Sequence, residues 1–148
     1  MRRTITILHS EPTEKIIEKS RFITYSARVE SEEEAKAFLA ALKDEHPFAT
    51  HICYAYIADR QGNLQRFSDN GEPQGTAGQP ILNVLEREGV QDVLCVVTRY
   101  FGGILLGAGG LCRAYTKAAK DALDDAGISE LRPWSVLHPN GRFSSGKG

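Results

Sequence analysis

The segment from residue 90 to residue 123 constrains the fold of this chain more than any other stretch. It opens with an apolar, β-branched run, residues 93–97, which is short enough to be a strand buried on both faces. From Leu111 to Ala122, apolar residues then recur with helical spacing. Five glycines lie between the two patterns: Gly102, Gly103, Gly107, Gly109 and Gly110. The segment therefore predicts a buried strand that turns into an amphipathic helix.

The glycine-rich turn has an arginine on each side, Arg99 before it and Arg113 after it. Glycine allows the backbone to approach a ligand closely, and the free amides at the start of a helix attract anions. These features predict an anion-binding turn, although glycines that only let a tight turn pack against the sheet would leave the same pattern. A dinucleotide-binding fingerprint fits poorly, because Cys112 stands where the third glycine belongs. A phosphate-binding P-loop is excluded, because the chain contains no GxxxxGK[ST] pattern.

A second loop rich in glycine and proline, residues 68–80, also leads into an apolar helical run, which stops near Gly89. Gly75 and Thr76 stand just before this helix and are candidates for anion binding, and Thr76 could also cap the helix. Two glycine-rich loops thus enter two helices. We expect a functional site where these loops meet.

The remaining elements follow from simpler patterns. A capping box at Ser31 predicts a helix that continues to about Asp44. Alternating or β-branched runs predict strands, and those on either side of the turn at 59–63 should form a hairpin. The predicted strands are residues 4–8, 21–29, 51–58 and 64–67, with another beginning at residue 128.

Length and charge limit the classes of protein that this chain can belong to. Its 148 residues are enough for one domain with a real core. The formal net charge of −1 provides no overall attraction for nucleic acid, so any polyanion site must be a local patch. The three cysteines form no CxxC pair and indicate buried thiols rather than zinc ligands or a disulfide framework. With neither a signal peptide nor an apolar run long enough to span a membrane, we expect a cytoplasmic protein without membrane contact.

Three basic residues are our candidates for phosphate contact: Arg99, Arg113 and Lys117. The alternative is an ordinary solvated helix face, with the basic residues paired to Asp121 and Asp124. Tyr100 and Phe101 could stack on nucleic-acid bases, or one of them could pack in the core.

Asp69, Glu72 and His51 are polar residues that could join the same site. Two carboxylates and a histidine could hold Mg²⁺ or perform acid–base chemistry. Equally, Asp69 could organise a turn, Glu72 could pair with Arg99 or Arg113, and His51 could be structural. No third metal ligand stands at a recognisable spacing and no nucleophile motif is present, so we assign no metal, cofactor or catalytic residue and do not predict an enzyme.

Four segments together carry a family resemblance: Ser20-Arg21-Phe22-Ile23, ATHICYAY at 49–56, SDNGEPQGTAGQPIL at 68–82 and TRYFGGILLGAGGLCRAY at 98–115. Through them the chain resembles the Impact/YigZ family over roughly residues 15 to 127. The resemblance implies an α+β fold similar to the second domain of ribosomal protein S5, with a four-stranded sheet and two main helices on one side. It also implies that residues 1–130 form the family's N-terminal domain. Residues 131–148, where relatives begin a ferredoxin-like domain, are expected to be a truncated or disordered tail.

The resemblance implies a role linked to translation, since the eukaryotic relatives are translational regulators. The hypothesis that fits best is a regulatory binding module that binds RNA, a nucleotide or a partner's acidic surface through its glycine-rich loops and arginines. One alternative is an enzyme that acts on a phosphorylated small molecule, with Asp69 and Glu72 holding a metal. The other is a regulator that binds only protein. The sequence does not determine the oligomeric state.

Overall fold

A computed structural model describes residues 4–7, 11–58 and 64–131, of which 4–7 and 128–131 are described by their backbone alone. Within these ranges the chain forms seven strands and three helices. In order these are β1 (Thr4–Ile7), β2 (Thr13–Ile17), β3 (Ser20–Arg28), α1 (Glu32–Glu45), β4 (His51–Ala58), β5 (Leu64–Ser68), α2 (Gly78–Glu88), β6 (Val93–Tyr100), α3 (Gly107–Ala126) and β7 (Ile128–Leu131).

Five of the strands form one antiparallel sheet in the order β2-β3-β6-β4-β5. The strand β6 lies at its centre and is buried from Val93 to Arg99, as its apolar, β-branched sequence predicts. The strands β1 and β7 form a separate antiparallel ribbon. Because β6 ends where the glycine-rich turn begins, the middle of the sheet leads directly into α3.

The helices cover both faces of the sheet. On β6, Cys95 and Val97 belong to the core cluster that includes Leu85 of α2 and Tyr115 of α3. Leu94 and Val96 belong to the other cluster, together with residues of α1. Successive side chains of a strand point to opposite faces, so α2 and α3 share one side and α1 covers the other.

The α+β class is confirmed, but the expected four-stranded sheet is wrong. The fifth strand is β2, a charged edge strand whose half-buried and exposed residues alternate. Only one face of an edge strand of this kind contacts the core, so its composition gave no clear apolar run. The likeness to ribosomal protein S5 stays a prediction.

Some local predictions are confirmed and others fall outside the described residues. Ser31 caps α1, its hydroxyl accepting from the Glu34 amide at 3.2 Å. The strand expected from residue 128 is present as β7 up to Leu131. The hairpin turn at 59–63 and the tail at 132–148 lie outside the described residues. Within the described ranges, no helix has the length and apolar character needed to cross a membrane.

Candidate functional site

The entrance to α2 is closed by a carboxylate from its own loop. Asp69 Oδ1 accepts hydrogen bonds from the amides of Ala77 at 3.0 Å and Gly78 at 2.8 Å, and Oδ2 accepts one from Gly75 at 2.9 Å. Burial raises the pKa of Asp69, but these three hydrogen bonds together outweigh it and leave the pKa below its ordinary value. Asp69 therefore serves as the anion that the start of this helix attracts.

Gly75 and Thr76, both predicted to bind an external anion, belong to this closed arrangement. The Gly75 amide is already used by Asp69. The Thr76 hydroxyl donates to the Pro73 carbonyl at 2.5 Å, so it does not cap α2. A carboxylate seven residues upstream of Thr76 performs the capping instead, because the loop folds back over the helix start.

Glu72 lies at the centre of a buried polar cluster. Its Oε2 accepts from Arg99 Nη1 at 2.7 Å and from the Tyr115 hydroxyl at 2.5 Å. The side chains of Arg99 and Glu72 are only 4% and 3% exposed. A buried ion pair of this kind needs both partners, because removal of one leaves an uncompensated charge.

The other nitrogens of the Arg99 guanidinium also have hydrogen-bond partners. Its Nε and Nη2 donate to the Ser20 hydroxyl oxygen at 3.2 and 3.1 Å. The group lies 5.5 Å from the ring centroid of Phe22 and 5.4 Å from that of Phe101. Arg99 therefore joins β3, β6 and the loop before α2, and it is not presented to solvent for phosphate contact.

His51 borders the cluster. Its Nδ1 lies 2.9 Å from the Asn70 carbonyl oxygen, and because a carbonyl can only accept, Nδ1 carries a proton. Its Nε2 lies 3.5 Å from Glu72 Oε1. The histidine thus holds the loop containing Asn70 and Glu72 against β4.

Two further side chains complete the cluster. Cys53 donates from Sγ to the Asp69 carbonyl at 3.0 Å, and burial raises the pKa of its thiol to about 12. Burial also raises the pKa of Tyr115, which keeps the phenol protonated as the donor to Glu72. A thiol of this kind is a poor nucleophile, so the cluster acts through hydrogen bonding.

The proposed use of Asp69 and Glu72 as metal ligands receives no support from their contacts. Three amides occupy the Asp69 oxygens, and an arginine and a phenol occupy Glu72 Oε2. Among the residues that the structure describes, no three His, Cys, Asp or Glu side chains are grouped so as to hold a metal ion.

The entrance to α3 is built differently. Leu106 is the N-cap residue and provides no side-chain hydrogen bond, and the first turn contains no acidic residue. A Cβ on Gly102 would lie 1.9 Å from the Lys19 carbonyl oxygen, so only glycine fits where this loop crosses the β2–β3 turn. Gly103 and Gly107 have φ values of 94° and 75°, which glycine adopts without strain.

Arg113 lies over the first turn of α3. A Cβ on Gly109 would be 3.3 Å from its Nη1, so the glycine leaves room for the guanidinium. Arg113 makes no ion pair or hydrogen bond with the part of the chain that the structure describes. Lys117, in contrast, pairs with Asp121 at 3.4 Å. Arg113 is therefore available to a ligand, whereas the charge of Lys117 is balanced by Asp121.

Large apolar side chains are exposed in the same loop. Leu105 is 85% exposed, Phe101 45% and Ile104 36%. Sequence reasoning singled out Phe101 as a residue that could stack on a base but missed Ile104 and Leu105, although the run Ile104-Leu105-Leu106 between glycines was a usable signal. We call the loop 101–106, the first turn of α3 and Arg113 together the α3 entrance.

The fold brings most of the predicted residues together but separates Tyr100 from them. Cys112 Sγ lies 3.7 Å from the Gly75 carbonyl, so the loop before α2 meets the N-terminal part of α3. Tyr100 points to the α1 side of the sheet, where its hydroxyl lies 2.6 Å from His46 Nδ1. It therefore cannot stack on a ligand bound at the α3 entrance.

Comparison with known proteins places these features in a family. The Impact N-terminal domain model matches residues 18–123. The IMPACT family member YvyE of Bacillus subtilis is 43% identical over 139 residues, which are 94% of this chain and 64% of that protein. The chain therefore spans just under two thirds of that relative's length.

Two solved structures have a similar fold. One, described as the crystal structure of a hypothetical protein, has a TM-score of 0.84 and 41% identity over 90% of this chain and 66% of its own. The other, the two-domain translational regulator Yih1, has a TM-score of 0.50 and 28% identity over 83% of this chain and 47% of its own. The match to the family model, together with these relatives, shows that this chain belongs to the Impact family.

Proposed function

We propose that this protein is a binding module of translation regulation and that its α3 entrance receives an acidic, partly apolar segment of a protein partner. The observation that carries the proposal is the exposure of Phe101, Ile104 and Leu105 beside an uncapped helix start and an unpaired Arg113. The regulatory context comes from Yih1, which is described as a translational regulator. The proposed setting is the cytoplasm, where translation takes place.

The composition of this surface favours a protein over RNA. RNA binding depends on several cations that neutralise phosphates together, and single-strand binding adds aromatic stacking platforms. Here Arg99 is buried, and Lys117 and Lys120 are paired with acidic residues. Exposed aliphatic side chains around one arginine resemble the centre of a protein interface. Binding of RNA or a nucleotide is therefore the second candidate, carried by the same arginine and helix start.

An enzyme that uses Asp69 and Glu72 to hold a metal has less support. Both carboxylates already have partners, since Asp69 accepts from three amides and Glu72 from an arginine and a phenol. A test of metal-dependent phosphoester hydrolysis, with Asp69→Asn as control, would restore this candidate only if turnover were found and then lost in the variant.

Capture of translation components by the immobilised chain tests the proposal. Wild-type protein should retain a defined translation factor or ribosomal protein from a bacterial extract, identified by mass spectrometry, and nuclease treatment should not release it. Leu105→Ser and Arg113→Gln should each reduce capture by about fivefold or more, the loss typical of an interface residue that contributes about 1 kcal/mol.

Matched variants elsewhere on the surface serve as controls. Phe67 on β5 is 45% exposed, as is Phe101, so Phe67→Ser should leave capture unchanged whereas Phe101→Ser reduces it. Arg87→Gln on α2 is the charge control for Arg113→Gln. Capture that nuclease abolishes would point to RNA. Capture that survives every substitution at the α3 entrance would contradict the proposal.

A further inference from the structure

A second cleft lies on the opposite face of the sheet, under α1. It has a volume of about 250 Å³ and lies next to the point where β2 begins its pairing with β3, at Thr13 and Thr24. Its walls include Tyr25 of β3, Phe38, Leu42 and Glu45 of α1, and the segment Glu11-Pro12. The sheet separates this cleft from the α3 entrance.

The lining combines negative charge with apolar and aromatic surface. Among the described residues of the lining, Glu11 and Glu45 are charged, and none is a lysine or arginine. The rings of Tyr25 and Phe38 meet edge to face, with centroids 6.5 Å apart. Carboxylates offset the charge of a cation, while aromatic and aliphatic walls suit the alkyl chain that carries it.

A chain of hydrogen bonds holds two side chains of the lining, Tyr25 and Glu45, in place. The Tyr25 hydroxyl donates to Glu45 Oε2 at 3.3 Å and lies 2.6 Å from His46 Nε2. Since the phenol has one proton, Nε2 must donate to it, and in the neutral ring Nδ1 then accepts from Tyr100 at 2.6 Å. Burial, then the nearby Glu45 carboxylate, raises the pKa of Tyr25 to about 12, so the phenol remains a donor at neutral pH.

We propose that this cleft binds an ammonium or guanidinium group carried on an alkyl chain, with Glu45 and Glu11 facing the cation and Phe38, Leu42 and Pro12 packing on the chain. The volume is below the roughly 300–1,000 Å³ of sites for drug-sized ligands, so it suits a small amine or a single side chain. The same chemistry could come from a free diamine or from a lysine or arginine of a bound protein. This site goes beyond the proposed function and does not depend on the α3 entrance.

A nuclear magnetic resonance titration with cadaverine, 1,5-diaminopentane, tests the proposal. The amide signals of Phe38, Ala41 and Leu42 should shift and saturate at millimolar concentrations. Uncharged 1,5-pentanediol, which has the same length, should cause no saturable shift. Glu45→Gln and Glu11→Gln should each weaken cadaverine binding by about two- to fivefold, as loss of one exposed ion pair predicts. Glu33→Gln, on the same helix but outside the lining, is the matched control and should bind normally.

A second probe separates the two sources of the cation. Nα-acetyl-lysine methylamide presents one lysine side chain with flanking peptide groups. Tighter binding of this probe than of cadaverine would assign the cleft to a partner's side chain, and the reverse would assign it to a free amine. Leu105→Ser should leave the affinities for both probes unchanged. A result that contradicts the proposed function of the α3 entrance would therefore not count against this cleft. Saturation by neither probe, or equal binding of pentanediol, would overturn the proposal.

Discussion

The entrances to α2 and α3 look alike in the sequence and differ in the structure. Each is a glycine-rich loop that leads into a helix without a side-chain cap from its own N-cap residue. At α2 the fold provides a carboxylate, Asp69, which takes three amides. At α3 the first turn has no acidic residue, and the guanidinium of Arg113, a cation, lies close to Gly109. The first entrance is closed by the chain itself, and the second is open to a ligand.

This difference separates structural from binding roles among the predicted residues. Unpaired amides at a helix start carry about half a positive charge in total, and an anion stabilises them wherever it comes from. Since Asp69 is part of the chain, the α2 entrance gains stability from it and loses its capacity for external anions. The α3 entrance keeps that capacity, and its exposed Leu105 adds apolar surface for a partner.

The largest expected effect is on stability, from the arginine that the sequence proposed for binding. Arg99→Met should lower the free energy of unfolding by about 3–5 kcal/mol, because Glu72 would remain buried without its charged partner. Arg113→Met should change it by less than about 0.5 kcal/mol, since that side chain is exposed and unpaired. Urea unfolding followed by circular dichroism measures both.

The double variant Arg99→Met, Glu72→Gln tests whether the two side chains are coupled energetically. It should be more stable than the sum of the two single losses predicts, because the uncompensated charge is removed together with its partner. Strictly additive losses would show that the pair is not coupled as its 2.7 Å contact indicates.

A smaller loss is expected at the closed entrance. Asp69→Ala should lower the free energy of unfolding by about 2–3 kcal/mol, because three amides lose a charged acceptor. Ser31→Ala, which removes the cap of α1 with its one amide contact, should lower it by about 1 kcal/mol. An equal effect of the two substitutions would contradict the central role given to Asp69.

Acid sensitivity tests the same carboxylate. The folded-state pKa of Asp69 lies below its ordinary value of 3.8, despite burial, because of the backbone hydrogen bonds. The stabilisation is therefore complete above that ordinary value and is lost as the pH falls through the lowered pKa. Asp69→Asn should flatten the part of the stability profile that lies below the ordinary pKa of 3.8. If the free energy of unfolding fell with pH in the variant as it does in the wild type, groups other than Asp69 would be responsible for the acid sensitivity.

The smallest effect on stability is a gain at the open entrance. Ala108→Asp places a carboxylate in the first turn of α3 and should raise the free energy of unfolding by about 0.3–1 kcal/mol. The same change should weaken capture of an acidic partner. Ala108→Asn introduces a side chain of the same size as aspartate but without its charge, so it should have little effect on stability or on capture. Higher stability with undiminished capture would show that the partner does not use the helix start.

Local patterns were sufficient for much of the fold. The apolar run of β6, the helical spacing of α3 and the cap at Ser31 each reflect interactions among neighbours in the chain, so the sequence predicted them correctly. The strand β2 was missed, because an edge strand with one half-buried face carries little apolar signal. Tyr115 belongs to the apolar pattern from Leu111 to Ala122, which predicted packing but not its hydrogen bond, although a phenol within a stripe of alanines indicates one.

For the site, the sequence determined which residues gather at the two loops: glycines, carboxylates and arginines in two long motifs. Only the tertiary structure decided which of them remain free. Asp69 and Gly78 are nine positions apart, Glu72 and Arg99 are 27, and Ser20 and Arg99 are 79. Pairings at such separations depend on strand order and on how each loop folds back, and no local pattern encodes them. Burial then made Arg99 part of the scaffold, whereas exposure left Arg113 and Leu105 for a partner.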